Sequence, residues 1–447
     1  MVKAAFVGFG EVNTPIDIII NKCKAAEENL KKEGMDLISV YPVTDDYEEK
    51  DIKKAVDALK GQDFDCLVVC IAGWIPTHAV VKVTEHFRHI PMVLWGLCGW
   101  TEGDRLVTTA DQAGTTALRK TFYDLGYTFR YIYDIVGIPS HTKEVYNYYL
   151  AASAAKKLRH AKAGMAGYRD MNLYGTLYDG GSLKREIGAE IETFEMLEIE
   201  QRYSKITDTE KQAVIDKVMS KWDFKKPANP ESMKLAAGYY LAVKQICDER
   251  GYDAVSLKDV DGMKKLLGFP PAPIFMLLAD EAGLCTVPEN DSLGSITQLM
   301  VKYLTGQCAF YLEFYEFFKD RVLAGVPDYI PAEVTEKVEV MPAAFGDLSE
   351  GILNVSKVKP GKVTMCRLTS IDGEYYMHMV VGEGITPRKW EEAGWTQPAP
   401  QLPGLEILLG DVEDFAQKVM CQHYIISYGD NTEKIKNLCD ILGVEII

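Results

Sequence analysis

Short apolar segments alternate with amphipathic helical segments through the first third of the chain. The strand-like runs are residues 3–8, 35–41, 64–71 and 90–97, and the helical segments are residues 15–33 and 48–59. A short apolar run is typical of a strand that is buried on both faces, and strands that alternate with helices usually pair in parallel. The sequence therefore predicts an α/β fold that starts with a doubly wound parallel sheet.

The length and the change in pattern along the chain predict three domains. The 447 residues correspond to two or three domains of about 150 residues each. An Ala-rich helix at residues 146–160 ends the first alternating stretch, and after about residue 319 short strands and long loops predominate. We predict two doubly wound α/β domains, residues 1–160 and 161–330, and a smaller β-rich, barrel-like domain at residues 331–447.

The charge balance excludes several classes of partner. The chain has 49 Lys and Arg against 65 Asp and Glu, a formal net charge of −16. Nonspecific nucleic-acid binding relies on a basic surface, so no nucleic-acid partner is expected. No apolar run approaches the roughly 20 residues of a membrane span, and no signal-peptide pattern is present. We therefore predict a cytoplasmic protein with no membrane partner and with reduced cysteines.

The most informative segment for function covers residues 283–317. A short apolar run ends in Glu289, residues 293–304 have helical periodicity, and a second strand at residues 308–314 carries Glu313 near its end. This pattern predicts a βαβ unit, in which the C-terminal ends of two parallel strands lie on one rim of a sheet. Ligands bind at that rim in open α/β sheets. Glu289 and Glu313 are therefore expected to lie close together.

Two carboxylates on one rim have two common chemical uses. They can bind a divalent cation, or they can act as a general acid/base pair. The alternative without a function is that each is a solvated carboxylate at the end of a strand. The spacing by itself leaves these interpretations open.

The same segment carries a specific resemblance to a known family. It reads Glu289-Asn290-Asp291-Ser292-Leu293, then Leu304-Thr305-Gly306, then a second carboxylate, Glu313, 24 positions after the first. This resembles the metal-binding segment of the L-fucose isomerases, where the second carboxylate is Asp; the related L-arabinose isomerases have Glu there. Downstream, the family's C-terminal domain is resembled by Thr364-Met365-Cys366-Arg367, Gly382-Glu383-Gly384, the Pro-rich stretch Gln401-Leu402-Pro403-Gly404, and Gln422-His423.

The resemblance implies a metal-dependent aldose–ketose isomerase. Its metal, Mn²⁺ or another divalent cation, would be held by Glu289, Glu313 and His423, whereas a lone His on an apolar strand is otherwise usually a core residue. The two glutamates would also catalyse proton transfer through an enediol, with a hydride shift as the alternative mechanism. Candidate substrate contacts are Trp74, Asn290, Glu383 and Gln422, although Asn290 could instead cap a helix. Family members form symmetric oligomers, so a homo-oligomer, plausibly a hexamer, is expected.

The sugar and two other functions remain open. An L-fucose- or D-arabinose-like sugar is the default substrate, and a hexose modified at carbon 6, for instance by a sulfonate, is the other; no basic group for an anionic substituent is identified. A non-enzymatic sugar-binding protein is the second hypothesis. A nicotinamide-dependent oxidoreductase is the third, based on Gly8 and Gly10, although Asn13 stands where the third glycine of that motif is expected.

Overall fold

The computed structural model of the protein describes residues 3–326, 329–344, 350–390 and 403–447. The chain divides into an N-terminal unit, Met1–Lys156, and a C-terminal unit, Lys157–Ile447. The division falls four residues before the first predicted boundary, at residue 160, and the second predicted boundary, at residue 330, stays a prediction. Across the described part of the chain, no helix combines the length and the apolar character that crossing a membrane requires.

The N-terminal unit is built on a five-stranded parallel sheet in the order β2-β1-β3-β4-β7. The strands are β1 (Ala4–Phe9), β2 (Leu37–Val43), β3 (Cys66–Ile71), β4 (Met92–Gly96), the short hairpin β5 (Trp100–Glu102) and β6 (Arg105–Val107), and β7 (Phe129–Tyr133). The helices are α1 (Ile16–Lys32), α2 (Lys50–Leu59), α3 (Thr77–Thr84), α4 (Asp111–Asp124) and α5 (Thr142–Leu158), which contains the division between the units. The predicted parallel α/β sheet is confirmed.

Close packing of α1 on β1 explains why Gly8 and Gly10, the two glycines that resemble a dinucleotide-binding motif, lack side chains. A Cβ atom on Gly8 would lie 2.3 Å from the Cys23 sulfur and 2.9 Å from the Cβ of Tyr41. A Cβ atom on Gly10 would lie 2.6 Å from a methyl carbon of Ile19. Both contacts are far shorter than van der Waals distances, so α1 can pack against β1 only because these residues lack side chains.

The C-terminal unit starts with a four-stranded parallel sheet in the order β12-β11-β8-β9. Its strands are β8 (Lys162–Ala166), β9 (Glu190–Phe194), β11 (Ala254–Leu257) and β12 (Cys285–Val287), and β10 (Asp223–Phe224) lies in another sheet. The helices of this region are α6 (Gly180–Glu186), α7 (Met196–Tyr203), α8 (Asp208–Lys217), α9 (Pro230–Arg250), α10 (Ala272–Asp280) and α11 (Ser292–Thr305). These helices and strands make the second predicted parallel α/β region.

The β-rich C-terminal region contains a closed sheet. Its strands are β13 (Phe310–Phe317), β14 (Arg321–Gly325), β17 (Gly361–Ile371), β18 (Glu374–Ile385), β19 (Gly404–Leu408) and β20 (His423–Tyr428), with β21 (Glu445–Ile446) added at the side of β18. The six longer strands follow the order β17-β20-β13-β14-β19-β18, and β18 pairs again with β17. Every one of these six strands therefore has a partner on both sides, which removes the unpaired edges of the sheet.

Two strands and two helices complete this region. Strands β15 (Glu339–Ala344) and β16 (Glu350–Asn354) form a three-stranded sheet with β10, and the helices are α12 (Val412–Lys418) and α13 (Thr432–Leu442). Helix α12 ends at Lys418, and strand β20 begins at His423.

The prediction of a βαβ unit at residues 283–317 is wrong. Strand β12 belongs to the four-stranded parallel sheet, whereas β13 lies in the closed sheet and pairs antiparallel with β14 and β20. Helix α11 therefore connects two different sheets. A βαβ unit and the observed arrangement have the same order of strand, helix and strand along the chain. They differ in the partners of the second strand, and one partner of β13, strand β20, lies far downstream in the sequence.

The packing of α1 on β1 predicts that Gly8→Ala destabilises the protein. Because the added methyl group would overlap the buried Cys23 side chain, we expect a loss of about 1–3 kcal/mol in the free energy of unfolding, measured by urea titration. Gly410→Ala is the matched control, since no heavy atom lies within 4 Å of its Cβ position. Equal stability of the two variants would contradict the close contact of α1 with β1.

Candidate active site

The loop after β12 carries the first candidate carboxylate in an unusual backbone conformation. Glu289 and Asn290 have φ angles of 64° and 48°, the left-handed region that non-glycine residues seldom adopt. The Glu289 N–H donates to Oδ1 of Asp259 at 3.1 Å. Asp259 in turn forms a fully buried ion pair with Lys264, with the Lys264 Nζ 3.0 Å from Oδ2. The surroundings thus hold a strained loop in place, which is common at functional sites.

The side chain of Asn290 fastens the same loop to the parallel sheet. Its Nδ2 group donates to the carbonyl oxygens of Ala166 at 2.8 Å and Tyr168 at 2.7 Å. These two acceptors determine which end of the amide is nitrogen, because an oxygen in that place could not donate. Asn290 is not the helix cap that was the alternative prediction: the N-cap of α11 is Asp291, whose Oδ1 accepts from the N–H of Gly294 at 2.9 Å.

Asp291 also forms a buried ion pair with Arg367 on β17. The two side chains are 0% and 1% exposed, and both terminal guanidinium nitrogens of Arg367 contact the carboxylate, with Nη2 2.8 Å from Oδ1. The Tyr311 hydroxyl donates to Oδ2 at 2.7 Å. Burial opposes ionisation of Asp291, but the charge of Arg367 and these hydrogen bonds keep the pKa of the carboxyl below its usual value.

Glu313 and His423 face each other on adjacent strands. They are direct partners in the antiparallel pairing of β13 with β20. The Nε2 atom of His423 lies 3.5 Å from Oε2 of Glu313, and its Nδ1 atom lies 3.6 Å from Oε2 of Glu289. One imidazole ring therefore stands between two carboxylates that come from two different sheets.

The surroundings keep this imidazole neutral and oriented. Burial lowers the pKa of His423 to about 3, so the ring is uncharged at neutral pH. The ring of Tyr311 stacks on it, with centroids 4.3 Å apart and an interplanar angle of 14°. Since Tyr311 also donates to Asp291, the ring of His423 is held by the same network as the N-terminus of α11.

The residue types fit a divalent cation better than their arrangement does. Two carboxylates and one neutral imidazole are ligands that Mn²⁺ accepts, and each carboxylate–imidazole distance is of the order found between neighbouring ligands of one ion. However, the two carboxylates face different nitrogens of the ring. Within the described residues, no group of three or more His, Cys, Asp or Glu side chains is arranged to hold a metal ion.

The structure brings together only some of the predicted site residues. Glu383 is exposed on β18, where it pairs with Lys362 of β17 and Leu408 of β19. Its predicted contact with a sugar stays a prediction.

Two other predicted substrate contacts have different surroundings. Gln422 directly precedes His423, its side chain is exposed, and its carbonyl oxygen accepts from the N–H of Phe314 at 3.1 Å. Trp74 lies in the N-terminal unit between β3 and α3 and is 39% exposed. Their contact with a sugar stays a prediction. In the Pro-rich stretch, Gln401 and Leu402 lie outside the described residues.

The sequence interpretation missed the residues that support the cluster. They are Asp259, Lys264 and Tyr311, while Arg367 was noted only as part of a family-like strand. One signal was available: an Arg in an otherwise apolar, strand-like segment, as at Arg367, needs a partner when it is buried. The partner could not be identified, because Asp291 and Arg367 are 76 residues apart.

Comparison with known proteins does not identify the chain. No protein-family model and no curated protein match it. One similar solved structure is a periplasmic solute-binding protein of an ABC transporter from Actinobacillus succinogenes 130z, with bound D-allose. The match covers 69% of this chain and 93% of that chain at 16% sequence identity, and its TM-score is 0.18. A TM-score this low carries no argument about fold or function.

The ion pair of Asp291 and Arg367 leads to a stability prediction. Arg367→Met leaves a buried carboxylate without its cation, which we expect to cost about 3–5 kcal/mol in the free energy of unfolding, measured by urea titration. The control is Arg185→Met, which removes an exposed ion pair with Glu186 and should change stability little. Wild-type stability of Arg367→Met would contradict the proposed role of the ion pair.

Proposed function

We propose that this protein is a metal-dependent aldose–ketose isomerase. The observation that carries the proposal is the meeting of Glu289 and Glu313 at one buried, neutral imidazole, with distances of 3.6 and 3.5 Å to His423. A neutral imidazole is the form that binds a metal ion. Glu289, Glu313 and His423 would hold Mn²⁺ or another divalent cation, and binding requires both carboxylates to approach the same ring nitrogen.

The two carboxylates can perform the proton transfers of this reaction. In an open-chain aldose, one carboxylate removes the proton from the carbon next to the carbonyl and returns it to the former carbonyl carbon. The other moves a proton from the hydroxyl oxygen on the carbon next to the carbonyl to the carbonyl oxygen. These transfers exchange the positions of carbonyl and hydroxyl with no net change in atoms. A divalent cation held by Glu289, Glu313 and His423 would supply stabilisation of the negative charge that develops on the sugar.

The strained loop supports this assignment. Left-handed backbone at two successive non-glycine residues is unfavourable, and it is maintained here by Asp259, Lys264 and the amide of Asn290. This arrangement presents Glu289 to His423 from outside the closed sheet that carries Glu313. Backbone strain of this kind is more often found at catalytic positions than in loops that only connect two elements.

The proposal extends to the organisation of the protein. It includes three domains, the third being the barrel-like region around the closed sheet, and a cytoplasmic homo-oligomer acting on a small sugar. The likeness of residues 287–313 to the L-fucose isomerases supports this organisation.

The proposal predicts that Glu289→Gln and Glu313→Gln each lose activity. Each substitution removes a proton-transfer group, so we expect at least about a hundredfold lower rate of ketose formation from a panel of aldoses with Mn²⁺. Glu433→Gln is the matched control, because that carboxylate is exposed on α13 and is not among the predicted site residues. His423→Asn should weaken Mn²⁺ binding measured by electron paramagnetic resonance.

The results distinguish this function from its alternative. Undiminished turnover in either glutamate variant would overturn the site assignment. Sugar binding without ketose formation, unchanged by a chelator, would instead indicate a sugar-binding protein.

The proton-transfer mechanism makes a separate isotope prediction. Because a carboxylate exchanges its proton with water, turnover in D₂O should place deuterium on the first carbon of the ketose, detected by NMR. A ketose free of solvent deuterium, formed under slow turnover, would favour a hydride shift between the two carbons.

A further inference from the structure

A cavity of about 350 Å³ lies beside the strained loop in the C-terminal unit. Its volume is at the lower end of the roughly 300–1,000 Å³ range of small-molecule sites. Asn290, the residue after Glu289, is part of its lining, so the cavity begins one residue from the proposed catalytic cluster. The polar and aromatic residues of the lining are Tyr168, Arg169, Thr176, Tyr178, Thr193, Asn290 and Ser292.

Arg169 brings a positive charge to this cavity without a carboxylate partner. Its guanidinium lies 4.7 Å from the centroid of the Tyr174 ring and 3.5 Å from Oδ1 of Asn172. No carboxylate of the described residues pairs with it within 4 Å. The adjacent Asp170 is buried and accepts three backbone N–H groups, from residues 171, 260 and 261, at 2.8–3.1 Å. A guanidinium that has no carboxylate partner can form charge-assisted hydrogen bonds with an anionic ligand.

Three further groups of the lining can hydrogen-bond to a ligand. Asn290 is 3% exposed, and its amide nitrogen donates to backbone carbonyl oxygens. Its Oδ1 atom accepts no hydrogen bond from the described residues. The hydroxyls of Ser292 and Thr193 have no hydrogen-bond partner within that part of the chain either. An unsatisfied buried acceptor is costly, and a ligand hydroxyl would satisfy it.

The combination of these groups defines a class of ligand. The cavity offers one cation, one hydrogen-bond acceptor, two hydroxyls and the rings of Tyr168 and Tyr178. This set suits a molecule with several hydroxyl groups and one anionic group. We infer that this cavity binds a sugar that carries a phosphate, sulfonate or carboxylate, with the anionic group at Arg169 and a hydroxyl at Asn290. That the bound sugar is also the substrate rests on the proposed function.

The test compares sugars that differ only in charge. Binding to the full-length protein with Mn²⁺ is measured by isothermal titration calorimetry for D-glucose, D-glucose 6-phosphate, 6-deoxy-6-sulfo-D-glucose and D-glucuronate, and for inorganic phosphate and sulfate. We expect at least one anionic sugar to bind about ten- to a hundredfold more tightly than D-glucose and than either inorganic anion. Arg169→Met should abolish this preference, and Arg169→Lys should retain part of it.

Controls separate this inference from the proposed function. Arg185→Met removes a positive charge from α6 outside the cavity lining and should leave the preference unchanged. Equal binding of neutral and anionic sugars, equal binding of an inorganic anion, or a preference that survives Arg169→Met would overturn the inference. If an anionic sugar binds at Arg169 but no aldose is converted, the proposed isomerase fails and the binding site stands. If a neutral aldose is converted with no preference for charge, the reverse holds.

Discussion

The buried ion pair between Asp291 and Arg367 is the interaction on which the candidate site depends. It links the start of α11, next to the parallel sheet, to β17 of the closed sheet. Two charges buried this deeply are tolerated only when each has its partner and further hydrogen bonds, and Tyr311 and the N–H of Gly294 supply them. Glu289 precedes Asp291 by two residues, so the pair also sets where this carboxylate meets the other sheet.

The same network determines the properties of the imidazole. Tyr311 donates to Asp291 through its hydroxyl and stacks on His423 through its ring. Burial keeps His423 neutral, the form in which an imidazole can bind a cation, while two carboxylates approach it. Support for such groups usually comes from surrounding residues that contact neither substrate nor metal. Here Asp259 and Lys264 support Glu289, and Asp291, Arg367 and Tyr311 support His423.

Local reasoning succeeded where the information was local. The apolar runs of the N-terminal unit predicted the strands of its parallel sheet, because the pattern of apolar residues is a property of neighbouring residues. The βαβ unit failed because a strand's partner is not a local property: β13 pairs with β20, more than a hundred residues downstream. Glu289 and Glu313 still both lie near His423, but they come from two different sheets rather than from one rim of a single sheet.

The sequence by itself determined the α/β class and the parallel sheet of the N-terminal unit, while the candidate ligands Glu289, Glu313 and His423 came from its resemblance to a family. Only the tertiary structure decided which of the predicted groups lie together. It placed the imidazole of His423 between two carboxylates and put Arg169 at a cavity beside Asn290. The physical reason is that burial, pairing of charges and strand register depend on contacts between distant segments, and a single sequence does not state those contacts.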